Sequence, residues 1–128
     1  MSNLTVVGKK TAKKILIIED EGEMCLLLNI ILDDKNMELD HVKDLEHARE
    51  YLKNQKPSIV ILDNKLPDGF GVDFITYIRT HCPGVRIIMI SGFGASAKDI
   101  AMANGADVFM EKPFSKDQLY QSIEGLMN

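Results

Sequence analysis

The sequence predicts an α/β domain built as a doubly wound parallel sheet with helices on both faces. Three observations carry this. Short apolar runs rich in β-branched residues, KILII at 14–18 and SIVIL at 58–62, are continuous rather than alternating, as expected of strands buried on both faces. Between such runs lie segments whose apolar residues recur at helical spacing. The two kinds of segment alternate five times along 128 residues, a length that suits one compact domain.

Residues 1–12 read as a flexible lead-in with a short ordered piece at 4–7, and the domain proper runs 13–128. The first strand, 14–18, ends at Glu19, Asp20, Glu21 and Gly22. Met24, Leu27, Leu28 and Ile31 mark the apolar face of a helix over 23–32, closed by the polar residues 33–36. A weak second strand covers 37–39. Leu45, Ala48 and Leu52 share a face of a helix over 44–54, which Pro57 stops. The third strand is 58–62, and the following DNKLPDGFG, 63–71, is loop by composition. A helix over 72–80 ends before Pro83 and Gly84. The fourth strand, 85–90, leads to a loop at 91–94, and a short polar helix over 97–103 ends at Asn104 and Gly105. The fifth strand is 106–110. Ser115 is the candidate N-cap of a final helix with Leu119, Ile123 and Leu126 on one side.

Composition narrows the function. With 45% hydrophobic residues there is enough apolar material for a core, and a net charge of −4 argues against a DNA-binding face. No run reaches the ~20 apolar residues of a membrane span, and the N-terminus lacks the apolar core of a signal peptide. Cys25 and Cys82 have no metal-ligand spacing and read as reduced, largely buried thiols of a cytoplasmic protein.

Open α/β sheets place their sites at the carboxyl ends of their strands. There the sequence puts Glu19 and Asp20, Asp63, Ser91 and Lys112. Carboxylates gathered in one pocket repel one another unless a divalent cation intervenes, and Mg²⁺ accepts a few hard oxygen ligands while keeping several waters. One carboxylate can instead be a nucleophile toward a phosphoryl donor. Lys112 and the Ser91 hydroxyl then suit the phosphoryl oxygens. Each feature alone has a plainer reading: a solvated acidic turn favouring a helix N-terminus, a loop serine, a surface lysine. Asp63 is harder to dismiss, since it follows SIVIL directly and precedes a glycine-rich loop. Their joint occurrence at successive strand ends carries the argument.

From about Lys13 to Met127 the chain resembles the receiver domain of bacterial two-component response regulators. Glu19 and Asp20 match the acidic pair after the first strand, and Asp63 the phosphoacceptor. Leu66, Pro67 and Gly71 match the loop that follows. Ser91 matches the Ser/Thr after strand four, Lys112 and Pro113 the lysine-proline after strand five, and Phe109 the aromatic switch position. The resemblance implies a (βα)5 flavodoxin-like three-layer sandwich with strand order 2-1-3-4-5. It implies a phosphoryl group passed to Asp63 by a sensor histidine kinase or phosphotransfer protein. It implies Mg²⁺ held by Asp20, Asp63 and the backbone carbonyl of Lys65, with Glu19 acting directly or through water. Lys112 then contacts the phosphoryl oxygens. Ser91 moves toward them and Phe109 turns inward. The surface of helix four, strand five and helix five changes for a downstream protein or an output domain outside this chain. Beyond its own phosphorylation and dephosphorylation, no enzymatic activity is implied. A phosphorylation-dependent dimer stays open, as does a stand-alone receiver against one excised from a longer regulator.

Three departures qualify the match. Glu19 stands where Asp is commoner; its extra methylene, about 1.5 Å, favours water-mediated coordination. Gly92 replaces the small residue, commonly alanine, after the Ser/Thr, which loosens that loop. Phe109 lacks the hydroxyl of tyrosine, so it switches by burial alone. Lys65 and Phe93 occupy positions that tune acyl-phosphate hydrolysis, and their bulk and charge point to a long-lived phosphoryl group. The competing functions are a receiver-like scaffold that works without phosphorylation, and a Mg²⁺-dependent phosphatase. The latter usually carries an aspartate where this chain has Lys65. A flavin-binding protein of the same topology is disfavoured by the acidic residues after strand one.

Overall fold

A computed structural model describes residues 13–32, 37–92 and 94–127. The lead-in 1–12, the polar break 33–36 and Phe93 lie outside the described residues. The order is β1 (Lys13–Ile18), α1 (Glu23–Ile31), β2 (Met37–Val42), α2 (Leu45–Asn54), β3 (Ile59–Asp63), β4 (Lys65–Leu66), β5 (Gly69–Phe70), α3 (Gly71–His81), β6 (Arg86–Ser91), α4 (Ala95–Asn104), β7 (Val108–Glu111) and α5 (Lys116–Met127). Five strands form one sheet in the order β2-β1-β3-β6-β7, every pairing parallel. Counting only these strands, the order is the expected 2-1-3-4-5.

The continuous apolar runs become the centre of the sheet. Ile15 to Ile18 on β1 and Ile59 to Leu62 on β3 are at most 1% exposed. Because side chains alternate along a strand, each run feeds two cores. Leu16, Ile18, Val60, Leu62, Ile87 and Met89 pack with residues of α2, α3 and α4 on one face. Ile15, Ile17, Ile59, Ile61, Ile88 and Ile90 pack with α1 and α5 on the other. The three-layer sandwich follows.

Several boundaries differ from the sequence reading. The second strand runs to Val42; MELDHV is an edge strand of mostly half-buried residues, so its polar residues are accommodated there. The segment 63–71 is more ordered than its composition suggests, since Lys65 pairs with Phe70 and Leu66 with Gly69 in a small antiparallel hairpin. The last strand begins at Val108 and reaches Glu111. Of the two free cysteines, Cys82 is buried and Cys25 only half-buried. No helix among the described residues is long and apolar enough to cross a membrane.

Candidate functional site

The chain leaves β1 for β2 on one side and returns to β3 on the other, so the winding reverses between β1 and β3. The crevice outside the carboxyl ends at that reversal is where such sheets bind ligands. Asp20 follows β1 and Asp63 ends β3, next to the paired strand β6 at Ile90. Asp63 is therefore fixed by a buried strand while its carboxylate, 16% exposed, reaches the surface.

Lys112, immediately after β7, places Nζ 3.2 Å from Asp63 Oδ2. Its backbone N–H donates to the Ser91 carbonyl at 2.9 Å, which ties the loop after β7 to the end of β6. The peptide bond Lys112–Pro113 is cis. Asp20, Asp63, Asn64, Lys65, Gly92 and Lys112 line a cleft of about 490 Å³. Ser91 is fully buried at the end of β6, beside Glu111. Phe109 is half-buried against the core on the α4 face.

Glu19 behaves differently from its neighbour Asp20. It is 7% exposed, and its Oε1 accepts hydrogen bonds from the backbone N–H groups of Met24 at 2.6 Å and Cys25 at 3.2 Å. These donors open α1, whose N-cap Gly22 sits at φ 86° and has no side chain to serve them. The burial of Cys25, with Glu19 adjacent, holds its thiol pKa above the ordinary value.

The residues 15–124 match the family model described as response regulator receiver domain. The chain belongs to that family. It is 30% identical over 87% of its length to the chemotaxis protein CheY of Listeria monocytogenes, 95% of which is covered. It is 30% identical over 87% of its length to the response regulator protein PilR of Pseudomonas aeruginosa, and 26% over 91% to the phosphate regulon regulatory protein PhoB of Escherichia coli. The chain spans about a quarter of PilR and about half of PhoB (25% and 52%). Among solved structures, the signal receiver domain of a Vibrio parahaemolyticus LuxO repressor protein matches with a TM-score of 0.84 at 26% identity, covering 91% of this chain and 90% of that one. The beryllofluoride-activated NtrC4 receiver domain dimer matches with a TM-score of 0.82 at 32% identity, covering 88% and 94%.

In this receiver the cleft gathers four of the residues picked from the sequence: Asp20, Asp63, Lys65 and Lys112. Ser91 and Phe109 lie on the adjoining strands β6 and β7, and Phe93 is outside the described residues. The donor set fits Mg²⁺, since the hard carboxylate oxygens of Asp20, Glu21 and Asp63 open onto one water-accessible cleft and this ion needs few protein ligands. Among the described residues no three His, Cys, Asp or Glu side chains are clustered as a cage. The rim is crowded with negative charge: a hydrogen bond with Glu23 and repulsion from it and Asp20 raise the pKa of Glu21 above its usual value.

Three residues that the sequence did not single out brace the site, Asn64 and Asp68 at the acceptor loop and His41 at the end of β1. Asn64 is buried; its Oδ1 accepts from Val72 N–H at 3.1 Å and its carbonyl from Gly71 N–H at 2.7 Å, capping α3. Asp68 accepts from the N–H groups of Leu45 at 2.9 Å and Glu46 at 3.0 Å, which ties the same loop to the start of α2. His41 Nε2 donates to the Glu19 carbonyl at 2.8 Å; with a carbonyl as partner, that nitrogen must carry the proton. Gly71, noted in the sequence, has a packing reason: a Cβ there would lie 2.3 Å from the Asp63 carbonyl oxygen.

Proposed function

We propose that this receiver takes a phosphoryl group onto Asp63 from the phosphohistidine of a sensor histidine kinase or phosphotransfer protein, in a Mg²⁺-dependent reaction. The observation that carries the reading is Asp63 Oδ2 lying 3.2 Å from Lys112 Nζ in a cleft that Asp20 also lines. An Asp63 carboxylate oxygen attacks phosphorus, the P–N bond breaks with its electron pair going to the imidazole, and a mixed anhydride forms. The Lys112 ammonium passes its hydrogen bond from the carboxylate to a phosphoryl oxygen, where negative charge is densest. Asp20, Asp63 and the Lys65 carbonyl would hold Mg²⁺, with Glu19 behind them. When bound, the ion neutralises charge on the phosphoryl oxygens.

Ser91 and Phe109 supply the response. The Ser91 hydroxyl moves toward the acyl phosphate and Phe109 turns inward from its half-buried position beside α4, shifting a two-state equilibrium of the α4–β7–α5 surface. That surface is read in the cytoplasm by a downstream protein or an output domain. Lys65, exposed on β4 at the cleft, slows hydrolysis of the acyl phosphate.

The test is intact mass after incubation with acetyl phosphate, with and without Mg²⁺, alongside Asp63→Ala. The expected result is one phosphoryl group gained by the wild type with Mg²⁺, and none by Asp63→Ala or with EDTA. A wild type that binds Mg²⁺ and accepts no phosphoryl group from acetyl phosphate or from any histidine-phosphorylated kinase would leave a non-phosphorylated scaffold as the function.

A further inference from the structure

The two members of the acidic pair do different work. The N–H, the carbonyl and one carboxylate oxygen of Glu19 are directed into the protein framework, although the residue also lines a small cavity with Asp63 and Lys112. Its N–H donates to the Val42 carbonyl at 3.1 Å, its carbonyl accepts from His41 Nε2 at 2.8 Å, and its Oε1 accepts from Met24 and Cys25 N–H. The first two bonds fasten the end of β1 to the edge strand β2, and the last two fasten it to the first turn of α1. Met24 and Cys25 are the second and third residues of α1, the positions that a Ser or Asp N-cap would serve. Gly22 occupies the cap position with a positive φ, and Glu19 reaches back over three residues to supply the missing oxygen.

We infer that Glu19 is a positioning residue: the remote N-cap of α1, whose clamp presents Asp20 to the cleft, and not itself a ligand of the ion. This rests on the reading of the cleft as a Mg²⁺-dependent phosphoacceptor site. It has a consequence opposite to simple chemical similarity. Aspartate keeps the carboxylate but is shorter by one methylene, about 1.5 Å, and falls short of the Met24 and Cys25 amides. Glutamine keeps the length and an oxygen acceptor at the same place.

The experiment compares Glu19→Gln, Glu19→Asp and wild type by Mg²⁺ titration calorimetry, and by amide hydrogen exchange of Met24 and Cys25 in EDTA. Both amides should stay protected in Glu19→Gln and exchange at least about tenfold faster in Glu19→Asp, the loss of a single cap bond. Mg²⁺ affinity should fall less than about tenfold in Glu19→Gln, where one distant charge is removed, and further in Glu19→Asp, where Asp20 loses its support. The reverse order of affinity, with Glu19→Asp close to wild type and Glu19→Gln the weaker, would overturn the assignment and make Glu19 a ligand. If Glu19→Asp does not fold, the exchange and affinity of Glu19→Gln against wild type decide alone: protected amides with near-native affinity support the clamp, and unprotected amides overturn it. If wild type binds no Mg²⁺, the reading of the cleft fails separately, and the exchange pattern still supports or refutes the cap.

Discussion

At the amino end of the sheet, one cation is bound by many partners. Arg79, in the last turn of α3, donates to the Gly105 carbonyl at 2.8 Å, to Asp107 Oδ2 at 2.6 Å and to the Val85 carbonyl. Asp107 in turn accepts from the Ile87 N–H at 2.8 Å. Four segments are joined there by a planar fork suited to several acceptors at once. At the carboxyl end, the Lys112 side chain shows one bond among the described residues, 3.2 Å to Asp63, and is 44% exposed, beside a cleft with space for more oxygen atoms. Both ends contain a cation and an aspartate. The difference is in saturation: the arginine has its acceptors already, and the lysine has capacity for a group yet to arrive.

The comparison predicts that equivalent damage has unequal effects. Arg79→Met should cost the most stability, about 2–3 kcal/mol in urea unfolding, because Asp107 and two carbonyls lose a charged donor in a partly buried place. An unchanged midpoint would mean that water satisfies those groups and that the amino end is not a staple. Lys112→Met should change stability by less than about 1 kcal/mol, as expected of a solvated pair. The same variant should slow phosphoryl uptake from acetyl phosphate by about tenfold or more, since a donor to the phosphoryl oxygens is lost. A large loss of stability with undiminished uptake would assign Lys112 to the framework instead.

The smallest effect concerns α2, whose N-cap Asp44 accepts from His47 N–H at 2.8 Å and from its ring at 2.7 Å. The bond to the Asp44 carboxylate and its charge raise the His47 pKa, and the His47 backbone bond, then its ring, lower that of Asp44. The His47 contribution is thus fully present below the ordinary histidine pKa and is lost as pH rises through the raised folded value. The Asp44 contribution is present above the ordinary aspartate pKa and lost as pH falls through its lowered one. His47→Gln should flatten the slight decline in urea midpoint across the alkaline side of the histidine range. A decline that persists in the variant would place its origin elsewhere.

What could be read from the sequence follows the range of the interactions. KILII and SIVIL declare buried strands because the signal lies within the run itself. Ser115 declares a cap because its partner is three residues on: Ser115 Oγ accepts from Gln118 N–H at 3.1 Å, and Gln118 Oε1 accepts from Ser115 N–H at 2.8 Å. The caps of α1, α2 and α3 by Glu19, Asp68 and Asn64 were not legible. Each comes from a loop at the end of a strand, and for Asp68 the helix served lies 23 residues earlier in the chain. Composition marked 63–71 as loop, and could not reveal that its polar residues complete two neighbouring helices. The site was more legible, since strand ends in a doubly wound sheet converge by topology. Asp63 and Lys112 meet across 49 residues of sequence for that reason. The sequence already set Asp20 apart from a more distant Glu19; the capping of α1 by Glu19 was hidden, because its bonds to Met24 and Cys25 exist only in the fold.

The placement of Asp63 on β3 gives the molecule the asymmetry of a bench vice. β3 is the middle strand, paired on both sides and buried on both faces, so its last residue is the fixed jaw. Lys112 belongs to the loop after β7, the edge strand, and is the sliding jaw. In the proposed reaction, a group gripped between them would leave the fixed jaw in place and move the edge of the sheet, where a partner would meet it.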